Sequence, residues 1–295
     1  MKPSPECLKC ILNIRLTEIE HSDLNDVGKL ELMKKLLELM IKMFDKDGDL
    51  TMIATLAYNF VVDNARGVVD YYKNIKRKTM SQAMRNIAEH WNYAMKLDDF
   101  NRFEYLIKLS ALGNLIDYGV YSHVSIPLVI SREMVESSEI AVNNAKELYD
   151  LLRNGGLRIA WLFDNSGEAV YDMLLIRLIR AWGNEVIGVV KDEPGFQNDV
   201  TRDDLSEFKL DKELDGMVTY GCRCSTIHLD NIGNEARKVI QASDLIIAKG
   251  MANFEYLYDI DLGKPIAFIL IPKCDPVAAK IGSNSRNKPV VLLKK

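Results

Sequence analysis

From Pro5 to about Gly119 the apolar residues recur every three or four positions, as in Val27, Leu30, Met33, Leu36, Leu37, Met40, Ile41 and Phe44. That spacing puts them on one side of a 3.6-residue helix and predicts a helical bundle for this half of the chain. The rhythm continues through 51–63, 66–74, 79–96 and 102–117, with polar or Gly-containing breaks between. After about residue 132 the period changes. Short apolar runs, LRIAWLF (157–163), EVIGVV (185–190), DGMVTY (215–220), DLIIAK (244–249), PIAFIL (265–270) and PVVLL (289–293), now alternate with helical segments. Runs apolar on both faces are expected of a mainly parallel sheet with helices packed on either side. The expected class is therefore α/β, with an N-terminal helical lobe (1–132) and an α/β lobe (133–295).

Composition narrows the class further. Of 295 residues 48% are hydrophobic and 27% charged, the balance of a soluble globular protein long enough for two lobes. With 38 basic against 42 acidic residues the net charge is −4, so nothing attracts nucleic acid or an anionic membrane in general. A phosphorylated ligand has to be held by local groups. No run reaches the roughly 18 apolar residues of a membrane span, and MKPSPECLKC lacks a secretory layout, so the expected location is cytoplasmic. Five cysteines, Cys7, Cys10, Cys222, Cys224 and Cys274, form an odd set that fits reduced thiols, or a metal at the first pair, better than structural disulfides. The acidic stretch Asp45 to Asp49 lacks the Glu that closes a calcium loop and reads as a solvated turn. The basic stretch Lys73 to Lys78 reads as a solvated helix end rather than a nucleic-acid patch.

In open parallel sheets ligands sit beyond the carboxyl ends of the strands, so the chemistry is sought there. LRIAWLF ends in Asp164-Asn165-Ser166-Gly167-Glu168, an acid and an amide that suit a hard divalent cation, or alternatively a helix cap. Beyond EVIGVV, Asp199 stands where the loop turns into a helix, as a third oxygen ligand or another cap, while Asp203 and Asp204 suit a first helical turn. DLIIAK ends in Lys249-Gly250 with Asn253 following, a seat for a phosphate oxygen at a helix start. PIAFIL leads to Lys273, a second cation.

These residues occur within six motifs in one order: Pro5-Glu6-Cys7-x-x-Cys10, Gly113 to Gly119 (GNLIDYG), Asp164-Asn165-x-Gly167-Glu168, Asn198-Asp199-Val200-Thr201, Lys249-Gly250-x-x-Asn253-Phe254 and Lys273-Cys274. Together they resemble the damage-control phosphatases, first described as domain of unknown function 89, in the subgroup with the early Cys-x-x-Cys. The resemblance implies a helical lobe joined to a three-layer α/β/α lobe. It implies one divalent metal (Mn²⁺, Ni²⁺, Co²⁺ or Mg²⁺) at Asp164, Asn165 and Asp199, with Asn114 and Asp117 bringing the helical lobe to the site. It further implies hydrolysis of small phosphorylated metabolites, including sugar phosphates and damaged or side-product cofactor precursors. One departure is Gly221-Cys222-Arg223-Cys224-Ser225-Thr226, where related chains often carry a Pro-Gly-Thr-like turn; it bears on substrate preference.

The expected chemistry is attack by a metal-activated water, with Lys249, Lys273 and the N–H groups near Gly250 offsetting charge. Glu168 is expected to orient the water, to hold a ligand from behind, or to cap its own helix. A nucleophilic Asp164 lacks its partner acid, since the residue two further on is Ser166. Two other classes compete: a methyltransferase, disfavoured because no Gly-x-Gly turn follows the first strand, and a non-enzymatic metal or redox scaffold organised by Cys7 and Cys10.

Overall fold

A computed structural model describes every residue except 46, 119–126 and 128, and the side chain of 283. Gly119 of the GNLIDYG motif, Lys46 and His123 thus lie outside the described residues. Five helices come first: α1 (Pro5–Glu20), α2 (Asp26–Met43), α3 (Leu50–Asn64), α4 (Val68–Ala94) and α5 (Asp99–Gly113). Their starts are set by side chains that accept the otherwise orphaned first-turn N–H groups. Ser4 caps α1 ahead of Pro5, Asn25 caps α2, Asp49 caps α3 and Asp98 caps α5. The acidic stretch before α3 is accordingly a turn that ends in a cap.

Helix α4 runs unbroken through residues expected as two segments. The basic stretch lies within it rather than at a helix end; Lys73, Arg77 and Lys78 are exposed, whereas Lys76 is buried against α9 (Arg202–Glu207). The buried Lys76 ammonium stands 2.8 Å from Asp204, and Arg77 pairs with Glu207.

The remaining elements are α6 (Arg132–Ser137), β1 (Val142–Asn143), α7 (Ala145–Leu152), β2 (Arg158–Leu162), α8 (Ser166–Ala181), β3 (Glu185–Val190), α9, β4 (Gly216–Thr219), α10 (Asn234–Ala242), β5 (Leu245–Lys249), α11 (Gly250–Leu257), β6 (Ile266–Leu270), α12 (Asp275–Ile281) and β7 (Val290–Lys294). The six expected strands are all present. The two-residue β1 is too short to leave a periodic signal.

The strands form one sheet in the order β1-β7-β6-β5-β2-β3-β4. It is parallel from β6 to β4, with β7 antiparallel to β6. Alternate residues serve opposite faces. Trp161, Ile247 and Ile269 share a core with α4, α5, α7 and α8, while Leu162, Ile246 and Phe268 share one with α10, α11 and α12. Helix α5, which precedes residue 132, therefore packs directly on β6 and β7, while α4 packs on α8 and α5. A third apolar cluster joins α1, α2, α3 and the start of α4 to Phe196 of the loop after β3.

Candidate active site

From β2 the chain steps outward through β3 to β4, then returns to place β5 on the other side of β2. This reversal leaves a crevice at the carboxyl ends of β2 and β5, the position where open α/β sheets bind ligands. Asp164 leaves one lip and Gly250 the other. Gly250 has φ +77°, and a Cβ there would fall 2.0 Å from Asp164 Oδ2, so only glycine lets the two strand ends come this close.

Asp199 arrives from β3 because its loop folds back on the tip of β2. The Val200 N–H donates to the Asp164 carbonyl at 2.9 Å, the Ser166 N–H donates to the Asn198 carbonyl at 3.0 Å, and Asn165 forms an antiparallel bridge with Asp199. Neither residue spends its side chain on a cap: Asn165 occupies the N-cap position of α8 without a capping bond, and α9 is capped by Thr201 in a capping box with Asp204. Asp203 and Asp204 take the expected first-turn positions.

Asn114, the C-cap residue of α5, donates its amide to Asp164 Oδ2 and to Glu168 Oε2, both at 2.8 Å. Asn165 Nδ2 donates to the same two oxygens at 2.8 and 3.1 Å, and its Oδ1 accepts from Asn198 at 2.8 Å. Glu168 therefore binds amides behind the crevice instead of capping α8. Its other oxygen stands 2.9 Å from the Lys249 ammonium, which also meets Asp172 at 3.0 Å and Ser110 Oγ at 2.7 Å. Lys249 is fully buried beneath the crevice, and Asn253 ties its carbonyl to Thr226. Lys273 pairs with Asp117 at 2.5 Å.

Two cations flank the acids. Lys273 was anticipated from its strand end; Lys191 was not, since a terminal Lys on β3 has no periodic signature. Its ammonium is 3.4 Å from Asp199, donates to the Cys224 and Ser225 carbonyls at 3.1 and 2.6 Å, and lies 4.1 Å from the Tyr220 ring centroid. Ser110, Asp172 and Asn198 were likewise unmarked as site residues, because each matters only through a partner distant in sequence.

Burial raises the pKa of Asp164 well above the ordinary carboxyl value, and the carboxylates of Asp199, Glu168 and Asp117 raise it further. Burial pushes Asp199 up to about 6 against the pull of Lys191. Asp172 is pushed by burial to about 7 against Lys249. Burial lowers the pKa of Lys191. At Lys249 burial opposes the charged form, but Asp172 and Glu168 outweigh it and the pKa rises.

In front of the acids is a cavity of about 140 Å³, lined by Asp117, Asp164, Asn165 and Asp199 together with Cys7 and Cys10 of α1. The other anticipated residues, Asn114, Glu168, Lys249, Gly250, Asn253 and Lys273, stand behind these. Cys7, Cys10 and Cys274 remain thiols. The expectation of thiols throughout is corrected at Cys222 and Cys224, which are joined in a disulfide because the turn after β4 brings their Cα atoms to 5.4 Å.

Among the described residues no three His, Cys, Asp or Glu side chains form a metal-holding group. An amide oxygen beside Asp164 and Asp199 would complete a set of three protein donors at the crevice. The Asn165 amide nitrogen faces the Asp164 and Glu168 carboxylates and its oxygen accepts from Asn198, whose own Oδ1 is buried without a partner. To hold a cation with Asp164, Asn165 and Asn198 would exchange their amide ends together and give up the Asn165 bonds to those carboxylates. Two carboxylates and an amide oxygen are a hard donor set suited to a divalent ion.

A family model for the damage-control phosphatase ARMT1-like domain matches residues 4–288. A damage-control phosphatase of Archaeoglobus fulgidus is 30% identical over 96% of this chain and 96% of its own. One of Pyrococcus horikoshii is 28% identical over 95% of this chain and 94% of its own. An uncharacterized protein of Methanocaldococcus jannaschii is 28% identical over 96% of this chain and 92% of its own. The crystal structure of a DUF89 family protein from Pyrococcus horikoshii superposes with a TM-score of 0.80 at 28% identity, covering all of both chains. The reversal of strand order that brings Asp164 to Gly250 is thus part of a shared architecture, and the chain belongs to the damage-control phosphatase ARMT1-like family.

Proposed function

We propose that the chain hydrolyses small phosphomonoesters with a divalent cation, Mn²⁺, Ni²⁺, Co²⁺ or Mg²⁺, held by Asp164, Asn165 and Asp199. The observation that carries this reading is the convergence of two buried carboxylates from different strand ends on one cavity. Burial and the carboxylates of Asp199, Glu168 and Asp117 oppose the charge on Asp164 more than Lys273 supports it, a balance that a cation beside it would offset.

A divalent cation supplies Lewis acidity and offsets the charge that develops on a transferring phosphoryl group. The protein's part is positioning. Asn114 fixes the Asp164 carboxylate and is itself anchored by Glu168, and Lys249 acts through Glu168 rather than on the phosphate. Lys191 balances Asp199. Lys273, bound to cavity-lining Asp117, is the cation that reaches a phosphate oxygen when that carboxylate yields it. The relatives named damage-control phosphatases support a phosphatase, and small phosphorylated metabolites as its substrates are part of this proposal.

The test is phosphate release by the purified chain from a panel of phosphomonoesters with each cation. Turnover should need the metal and vanish in Asp164→Ala while the circular dichroism spectrum is kept. Full activity in that variant would overturn the proposal.

A further inference from the structure

The cavity carries more information than its acids. Ile11 and Ile14 of α1, Leu50 of α3 and Phe196 form much of its wall. Four sulfur side chains, Cys7, Cys10, Cys274 and Met251, line it as well. Thiols and thioethers are weak hydrogen-bond partners, so this wall replaces few of the hydrogen bonds a sugar makes with water.

The neutral polar groups of the lining are already committed. The Thr51 hydroxyl meets Asp49 at 2.6 Å and His228 at 2.8 Å, the Ser225 hydroxyl meets the Thr51 carbonyl at 2.9 Å, and the Gln197 amide nitrogen faces Glu18 at 3.4 Å. Arg15 is the lone cation among the described lining residues. It is buried, bonded to Glu18 at 2.8 Å and stacked 5.1 Å from the Tyr58 ring centroid. Among the described lining residues its charge is thus already balanced by Glu18, with only its Nε lacking a partner, and the Glu6 carboxylate opposes a second anionic group.

Resting on the phosphatase reading, we propose that this cavity selects phosphomonoesters whose alcohol portion is uncharged and largely apolar, over polyhydroxylated or doubly anionic esters. The experiment compares n-hexyl phosphate, n-butyl phosphate, glucose 6-phosphate and 3-phosphoglycerate as substrates of the full chain with Mn²⁺. All four are esters of primary alcohols, so differences report the cavity. n-Hexyl phosphate should exceed glucose 6-phosphate and 3-phosphoglycerate in kcat/KM by about tenfold or more, chiefly through KM. Ile14→Asn should narrow that gap. Equal or better turnover of the sugar or the carboxylated ester overturns this inference and leaves the phosphatase reading standing. Absence of phosphate release from every ester with every cation overturns both.

Discussion

The side-chain amide of Asn114 is locked toward Asp164. Its Oδ1 accepts the Ile271 N–H at 3.1 Å, a bond that only the oxygen end can make, so its Nδ2 must face the Asp164 and Glu168 carboxylates 2.8 Å away. One buried amide thereby ties the end of α5, the end of β6 and the tip of β2 together.

Asn114→Ala removes this lock. It strands the Ile271 N–H and frees two carboxylates to move. We expect a stability loss of about 1–3 kcal/mol in denaturant unfolding. A fall in activity of about 10- to 100-fold should accompany it, the scale expected when a ligand's supporting partner is lost.

Lys249→Met should be the most damaging single change to stability among the residues behind the crevice. It leaves Glu168 and Asp172 buried against each other with no cation, for a cost of about 3–5 kcal/mol. Adding Glu168→Gln to that variant should recover part of the loss in urea midpoint but not the activity. A single Lys249→Met variant as stable as the parent contradicts the buried pairing.

Gly250→Ala probes the approach of β2 and β5. The residue sits at φ +77° and its new methyl collides with the Asp164 carboxylate. Thermal unfolding should show destabilisation of about 1–3 kcal/mol, and metal affinity measured by calorimetry should fall.

Acidity should control cation binding. Asp199 has a folded pKa of about 6, above the roughly 3.9 of an unfolded Asp. A raised acid binds more protons folded than unfolded between those values, so in the metal-free protein its contribution to stability falls as pH rises from about 4 through about 6. Asp164 acts in the same direction. A divalent cation reverses this by binding the charged forms. The rise in Tm on adding Mn²⁺ should be largest above pH 7 and shrink as the pH drops through about 6; an increment that does not vary with pH contradicts the assignment.

How much of this was legible beforehand differs from element to element. Helical period in residues 27–44 and apolar runs such as 244–249 marked the elements, because burial of one helical stripe or both strand faces is written locally. The burial of Lys76 within an unbroken α4 was not legible, since the acid that pairs with it belongs to α9, more than a hundred residues on.

The sequence by itself determined the element types, the strand tips that carry Asp164, Asp199, Lys249 and Lys273, and, through ordered motifs, the family. Tertiary structure alone decided what those side chains do. It sent Lys249 beneath the crevice to meet Glu168 and Asp172, brought the unmarked Lys191 to Asp199, and set Gly250 against Asp164. The reason is physical: periodicity records which face of an element is buried, whereas the partner of a buried charge depends on strand order, and strand order is fixed only when the whole sheet packs.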